Sequence, residues 1–354
     1  MKYKIVNIRK CLVAVMLLMM LFVLTSCKKT PYKNEIKITK DFIPITEIKE
    51  GRPDIYIIVK SMESSYWEVV LRGANQAGVD LDCNVYAAGS NLETEWELQE
   101  AYMDLAIDNG ADAIILGPDN SVLLSPAVEK VHEKGIPIII VDTIVNSESY
   151  DVCYMTDNLL AGENAAKELL RMLKEQGHSE DEEVDVAIQL GARASQTINE
   201  RLAGFCQYWT KYAPKTWTIF DEIKCNDGDE ELAVEMSEDF FNQYPNVNGV
   251  FGTDNASSMG FSSAIMKLDR QDVAMVGFDY SPEVARIVND GKYNVSIMLQ
   301  RQYDMGYRGV ESAISLINGE SIQLKFIDTG VAVLNKETMN TEEILGIIKN
   351  NRGN

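Results

Sequence analysis

The chain has 354 residues, 46% hydrophobic and 25% charged, with 54 Asp+Glu against 33 Lys+Arg and a net charge of −21. This composition excludes a disordered chain and a multi-span membrane protein, and the acidic balance excludes a nucleic-acid partner, whose phosphates need clustered cations. Two histidines, and six cysteines without a C-x-x-C pair, also exclude imidazole-rich catalysis and the usual zinc and thioredoxin sites.

At the N-terminus Lys2, Lys4, Arg9 and Lys10 precede an uncharged apolar run over residues 11–24. A bilayer span needs about 20 apolar residues, so this run is short and suits the core of a secretory signal. It ends in Leu24-Thr25-Ser26-Cys27, followed by Lys28 and Lys29. That pattern resembles the lipobox of bacterial lipoproteins, which implies cleavage before Cys27 and a lipid on its thiol. The expectation is a signal peptide over 1–26, then a lipidated Cys27 and a flexible tether over 27–53. The rest of the protein would then sit on the extracytoplasmic side of the cell membrane, anchored by lipid. Of the cysteines beyond Cys27, Cys206 and Cys225 could pair, but a buried free thiol is the simpler state for each.

From residue 54 onward short apolar runs alternate with amphipathic segments. Strands are expected at 55–59, 84–88, 113–116 and 136–141, with helices at 66–77, 93–109 and 121–134 between them. At 150–158 a strand-like segment follows without an intervening helix, and a second series begins. Its helices fall at 159–172, 198–212, 230–244, 257–268, 282–290 and 303–318; its strands fall at 185–190, 216–222, 249–253, 273–278, 295–299 and 327–334. Such βαβ order predicts an α/β protein with two parallel-sheet lobes and helices on both faces of each sheet.

In such sheets ligands sit beyond the carboxyl ends of the strands. The first strand ends in Lys60-Ser61-Met62-Glu63-Ser64-Ser65-Tyr66-Trp67, where a hydroxyl-rich turn leads two aromatics into a helix. The first lobe also offers Asp142-Thr143. The second offers Gly191-Ala192-Arg193, Asp254-Asn255, Phe278-Asp279 and Gln300-Arg301. Three carboxylates at three strand mouths suggest a polar site, although Ser65 and Asp254 could equally be helix caps. A carboxylate-pair hydrolase is the enzymatic alternative. No activated Ser, Cys or His stands beside these residues, however, and G-x-S-x-G, HExxH and glycine-rich phosphate loops are absent. His132 and His178 read as structural or exposed. No catalytic residue, cofactor or metal site is expected.

The strand ends, in this order, resemble the type I periplasmic binding proteins of sugar ABC transporters, in their ribose-binding-like branch. The likeness covers roughly 54–335. It rests on Ser64-Ser65-Tyr66-Trp67 with Arg72-Gly73-Ala74, on Asn109-Gly110-Ala111-Asp112, on Gly135-Ile136-Pro137 leading to Val141-Asp142, and on Thr156-Asp157-Asn158. Asn199-Glu200-Arg201 with Gly204-Phe205, Val276-Gly277-Phe278-Asp279, Asn289-Asp290-Gly291-Lys292, Gln300 through Met305-Gly306, and Asp328-Thr329-Gly330-Val331 complete it. The resemblance implies two Rossmann-like lobes joined by three hinge strands crossing near Thr156, Arg301 and Thr329. The N-terminal lobe would comprise 54–155 plus 302–328, the C-terminal lobe 156–301 plus 330–337, and a C-terminal helix and tail 338–354. It also implies a sugar or sugar-like ligand lined by Ser64, Tyr66, Trp67, Asp142 and Thr143 from one lobe. Asn199, Asp254, Phe278, Asp279 and Gln300 would face it from the other.

Ribose-binding relatives carry arginines at the positions of Thr143 and Asn199. Their loss makes ribose itself a poor expectation and leaves Asp142, Asp254 and Asp279 in an acidic cleft. Arg193, Arg301 or an amine on the ligand are the candidates to balance it. The expected function is solute capture for an ABC importer permease, by a monomer. The alternative is a receptor that presents its bound form to a membrane histidine kinase.

Overall fold

The computed structural model describes residues 41–193 and 195–352, with all side chains there except that of Arg352. The expected signal peptide, Cys27 and the tether up to residue 40 lie outside the described residues. In chain order the first elements are β1 (Ile43–Pro44), β2 (Asp54–Ser61), α1 (Ser65–Asp80), β3 (Asn84–Ser90), α2 (Trp96–Asp108), β4 (Ala113–Leu116), α3 (Ser125–Glu133), β5 (Ile138–Val141) and β6 (Val152–Met155). They are followed by α4 (Asn158–Glu175), β7 (Val184–Leu190), α5 (Gln196–Tyr212), β8 (Trp217–Ile219), β9 (Lys224–Cys225), α6 (Glu230–Gln243), β10 (Gly249–Gly252), α7 (Asn255–Leu268), β11 (Ala274–Phe278), α8 (Pro282–Asp290) and β12 (Asn294–Gln300). The chain closes with α9 (Gln302–Ile317), β13 (Phe326–Asp328), β14 (Val331–Leu334) and α10 (Glu342–Arg352).

The strands form two sheets. The first has the order β1-β3-β2-β4-β5-β6-β13, and the second β14-β12-β11-β10-β7-β8 with β9 also pairing to β7. All pairings are parallel except those of β1 and β14. Central strands such as β2, β4 and β5 are buried along nearly their whole length, because helices cover both faces, and so their sequences read as apolar runs rich in β-branched residues. Each lobe accordingly carries two apolar layers, one per sheet face.

The chain passes between the sheets at Thr156-Asp157, at Arg301 and at Thr329-Gly330. These passages lie side by side. Thr156 Oγ1 donates to Gln300 Oε1 at 2.9 Å, the Asp157 N–H donates to Asp328 Oδ1 at 2.9 Å, and the Thr329 N–H donates to the Met155 carbonyl at 2.9 Å. The strand expected over 327–334 is therefore two strands, β13 in the first sheet and β14 in the second. Gly330, with φ +73°, supplies the left-handed turn between them.

Three further expectations are corrected. Residues 41–53 are docked rather than a free tether. β1 pairs with β3, Phe42 packs edge-on to Tyr56 at 4.7 Å and near Tyr102, and Asn84 holds both the N–H and the carbonyl of Lys49. Helix α2 starts three residues later than expected because Glu95 Oε2 accepts from the N–H groups of Asn91 and Leu92, and α3 starts four later because Asn120 Oδ1 does so for Val122 and Leu123. Such local side-chain bonds compete with the first helical turn. The expected strand over 216–222 is shorter, β8, and a small second piece, β9, follows it.

In each lobe a pair of helices crosses at glycines. A Cβ on Gly73 would run into the Tyr303 carbonyl and one on Gly306 into that of Val70, where α1 meets α9. Gly162 and Gly204 do the same for α4 against α5. These close crossings set the helix N-termini, and hence the residues just before them, over the ends of the strands.

Candidate ligand-binding cleft

The carboxyl ends of the two sheets face a narrow cleft. From the first lobe come Lys60, Ser64, Tyr66, Trp67, Glu93 and Asp142. From the second come Ser195, Thr197, Arg201, Glu230, Asp254, Asn255, Asp279 and Gln300. The lobes touch across it: Asn255 Nδ2 donates to Ser65 Oγ at 3.1 Å, and a Cβ on Gly228 would lie 3.3 Å from Glu93 Cγ.

Asp142 and Asp279 occupy equivalent places, each directly after a central strand and each with left-handed backbone, φ +67° and +69°. Asp adopts that conformation more readily than most residues. Asp142 Oδ1 accepts the Tyr66 hydroxyl at 2.6 Å, and its Oδ2 meets Lys60 Nζ at 2.8 Å and the Thr143 hydroxyl at 2.7 Å. Burial raises the Asp142 carboxyl, but the adjacent Lys60 ammonium and these bonds outweigh it and hold the pKa below the ordinary value. Lys60 responds in the complementary direction, burial lowering it and Asp142 raising it above the ordinary lysine value. Asp279 lacks such a cation in direct contact. Gln300 Nε2 and Gln302 Nε2 donate to its Oδ1 at 2.9 and 3.1 Å, and burial pushes it up to about 7 despite the field of Arg201.

Arg201, 2% exposed, is fixed by Asn158 Oδ1 and the Thr253 carbonyl, each at 2.8 Å, with its guanidinium 4.1 Å from the centre of the Phe278 ring. Trp67, buried against Tyr66, donates its indole N–H to Glu93 Oε1 at 2.8 Å. Ser64 and Asp254 both cap helices, accepting from the N–H groups of Tyr66 and Ser257, and both still line the cleft.

Of the residues expected from the sequence, Ser64, Tyr66, Trp67, Asp142, Asp254, Asp279 and Gln300 converge on this cleft. Thr143 and Phe278 do not reach it. Both are fully buried, one beneath the Lys60–Asp142 pair and the other beneath Arg201. Asn199 is exposed and points away, its amide donating to the carbonyls of Arg193 and Ser195. The helix explains this: two positions amount to about 200° of rotation, so Asn199 and Arg201 lie on opposite faces of α5. The cations are likewise not those expected. Arg193 is exposed and bonds the Ile223 carbonyl, and Arg301 pairs with Glu343 outside the cleft, whereas Lys60 and Arg201 line it. Neither histidine is among the lining residues, and Cys83, Cys153, Cys206 and Cys225 are all unpaired.

Lys60, Glu93, Arg201, Glu230 and Asn255 were missed. Arg201 had a signal, a charge in line with Ile198 and Phe205 on the buried stripe of its helix. Lys60 likewise ends an apolar strand. Glu93 had none, because the helix expected from residue 93 concealed the loop that carries it.

The family model described as "Periplasmic binding protein domain" matches residues 55–321. The ribose import binding protein of Escherichia coli (strain K12) is 25% identical over 281 residues, covering 78% of this chain and 88% of its own. The D-apiose import binding protein of Actinobacillus succinogenes is 23% identical, covering 73% and 80%. Among solved structures, a carbohydrate transporter solute binding protein from Agrobacterium radiobacter in complex with D-arabinose superposes with a TM-score of 0.79 at 27% identity, covering 85% of this chain and 100% of that one. An ABC transporter solute binding protein from Agrobacterium vitis with bound D-fucose gives 0.75 at 27% identity, covering 82% and 98%.

Proposed function

From the premise that this chain belongs to the periplasmic binding protein domain family, we propose that it captures one sugar or sugar-like solute between its lobes and hands it to an ABC importer. The observation that carries this reading is the convergence of Tyr66, Trp67, Asp142, Asp254, Asp279 and Gln300, from two separate sheets, on one cleft. An aromatic face stacks on the apolar C–H face of a sugar ring, while carboxylates and an amide bond vicinal hydroxyls in pairs. Wrong stereochemistry leaves such buried groups unpaired, which makes the site selective. Two lobes joined by adjacent passages can hinge, so a ligand touching both favours the closed arrangement in proportion to its added contacts.

The import proteins among its relatives support delivery to a permease. The basic start, short apolar run and Leu24-Thr25-Ser26-Cys27 support anchoring through a lipid on Cys27, with the lobes outside the cell membrane. The fold acts as a monomer in this scheme, and the chain turns nothing over.

A thermal-shift screen of the full-length chain in detergent, against pentoses, hexoses, polyols and amino sugars, tests this. A ligand at 100 times its dissociation constant raises stability by about 2.7 kcal/mol. A saturable hit lost in Trp67→Ala is the expected result. No saturable ligand across these classes, or consumption of one during the assay, would overturn the reading.

A further inference from the structure

The two ends of the cleft differ in how their polar groups are satisfied. At one end each charged group is hydrogen-bonded within the protein: Lys60 is engaged by Asp142 and Thr143, Arg201 by Asn158 and Thr253, and Asp279 by two glutamine amides. At the other end Glu93 from the first lobe faces Glu230, Asp254 and Asn255 from the second, and no cation is paired with any of these carboxylates among the described residues.

Trp67 Nε1 donates to one oxygen of Glu93, the N–H and hydroxyl of Ser257 to one oxygen of Asp254, and Asn255 Nδ2 to one oxygen of Glu230. The second oxygen of each carboxylate receives no hydrogen bond from the described residues. Asn255 itself is 6% exposed, and its Oδ1, with the amide fixed by the bond to Glu230, is buried and lacks a partner. Every unfilled group at this end is therefore an acceptor.

A neutral hydroxyl fits poorly there. It donates one hydrogen and brings its own lone pairs toward three carboxylates. An ammonium donates up to three, has no lone pair, and carries the missing charge. The electrostatics agree. Burial raises the pKa of Glu93, Asp254 and Glu230 above the ordinary carboxylate value; the field of Lys60 offsets part of this at Glu93, and Arg201 and Lys60 at Asp254, while neighbouring carboxylates add to the rise for Glu93 and Glu230. A cation placed among them relieves that cost without requiring protons. No three acidic, His or Cys side chains among the described residues are grouped so as to hold a metal ion.

We propose that the solute is an amine-bearing sugar or polyol whose ammonium lies among Glu93, Glu230 and Asp254, with one N–H donated to Asn255 Oδ1. This rests on the solute-capture reading and narrows it to a ligand class. Its polyol part would meet Asp142, Asp279, Gln300 and the aromatics, as above.

The test is titration calorimetry of the full-length chain with D-glucosamine, D-galactosamine and D-mannosamine. Each is compared with its parent hexose and its N-acetyl derivative, which keeps the ring and removes the charge. A charge-assisted bond is about twice as strong as a neutral one, so at least one amine should bind about tenfold or more tightly than both its counterparts. Glu93→Gln and Glu230→Gln should each bring that ratio down by about tenfold. If neither variant folds, the comparison of amine with N-acetyl derivative on the unaltered chain still decides. A parent hexose that binds as tightly as its amine overturns the amine assignment and leaves sugar capture standing. No binding by charged or neutral sugars overturns both.

Discussion

Replacing Asp279 by Asn should stabilise the ligand-free protein at neutral pH and leave it unchanged in acid. Asp279 is 2% exposed, and burial moves its carboxyl to about 7, against about 3.9 in an unfolded chain. A carboxyl raised in the folded state favours folding when protonated. Its contribution is fully present below about pH 4 and is lost as the pH rises through about 7. A shift of about three units corresponds to about 4 kcal/mol over that window. The Asp279→Asn substitution removes the titration while retaining an oxygen to accept from Gln300 and Gln302, and asparagine tolerates the left-handed backbone at this position. Urea unfolding followed by circular dichroism, from pH 4.5 to 8.5, reads the difference between the two proteins. The Asp279→Asn variant should exceed the parent by only about 1 kcal/mol at pH 4.5 and by up to about 4 kcal/mol at pH 8. A difference that is flat with pH, or a variant less stable at pH 8, would refute the assignment of a buried, poorly compensated carboxylate at this position.

Lys60→Met leaves Asp142 buried without its counter-ion and should lower unfolding free energy by about 3–5 kcal/mol at neutral pH. A loss below about 1 kcal/mol in the same urea assay would show that Tyr66 and Thr143 suffice to hold the carboxylate. Gly306→Ala places a methyl against the Val70 carbonyl at the crossing of α1 and α9 and should cost about 1–3 kcal/mol. Gly346→Ala in α10, where the added methyl meets open space, should instead gain up to about 1 kcal/mol. Equal effects at the two glycines would mean that close helix approach is not what Gly306 provides.

The lobes were legible because strands buried on both faces leave apolar runs rich in β-branched residues, such as Ile55–Val59 and Ile138–Val141, and because helices recur between them. The cleft was legible where its residues stand at a strand end or open the helix that follows. Asp142, Asp254, Asp279 and Gln300 lie at or within two residues of a strand end, Ser64, Tyr66 and Trp67 at the opening of α1, and each lines the site. Residues that reach it from the middle of a helix or from the loop before α2, such as Arg201 and Glu93, were missed. Asn199 and Arg201 differ by two positions, and the motif alone does not say which face of α5 is buried; Ile198 and Phe205 do. Phe278 was chosen as an aromatic at a strand mouth, but the alternation of a strand turns it inward, beneath Arg201. The docking of residues 41–46 escaped notice because a two-residue edge strand has no periodicity to detect.

Helix caps in this cleft serve two purposes at once, which is why the choice between structural and functional readings of Asp254 was not a real alternative. A carboxylate has two oxygens and a cap uses one. Asp254 Oδ1 takes the first-turn N–H of α7 and the Ser257 hydroxyl, and Oδ2 lies on the side of Gly191, where a Cβ would come within 2.5 Å of it. Glycine at 191 thus leaves room for the second oxygen. The same division holds at Glu93 and Glu230, each with one oxygen committed within the protein. Anchoring one oxygen fixes the position of the other before any ligand arrives, so little rotamer entropy remains to be lost on binding. A cleft assembled from half-committed carboxylates is therefore rigid and hungry for donors, and closing the lobes around a donor-poor solute would bring those charges together uncompensated. Closure is thereby tied to the chemistry of what lies between the lobes.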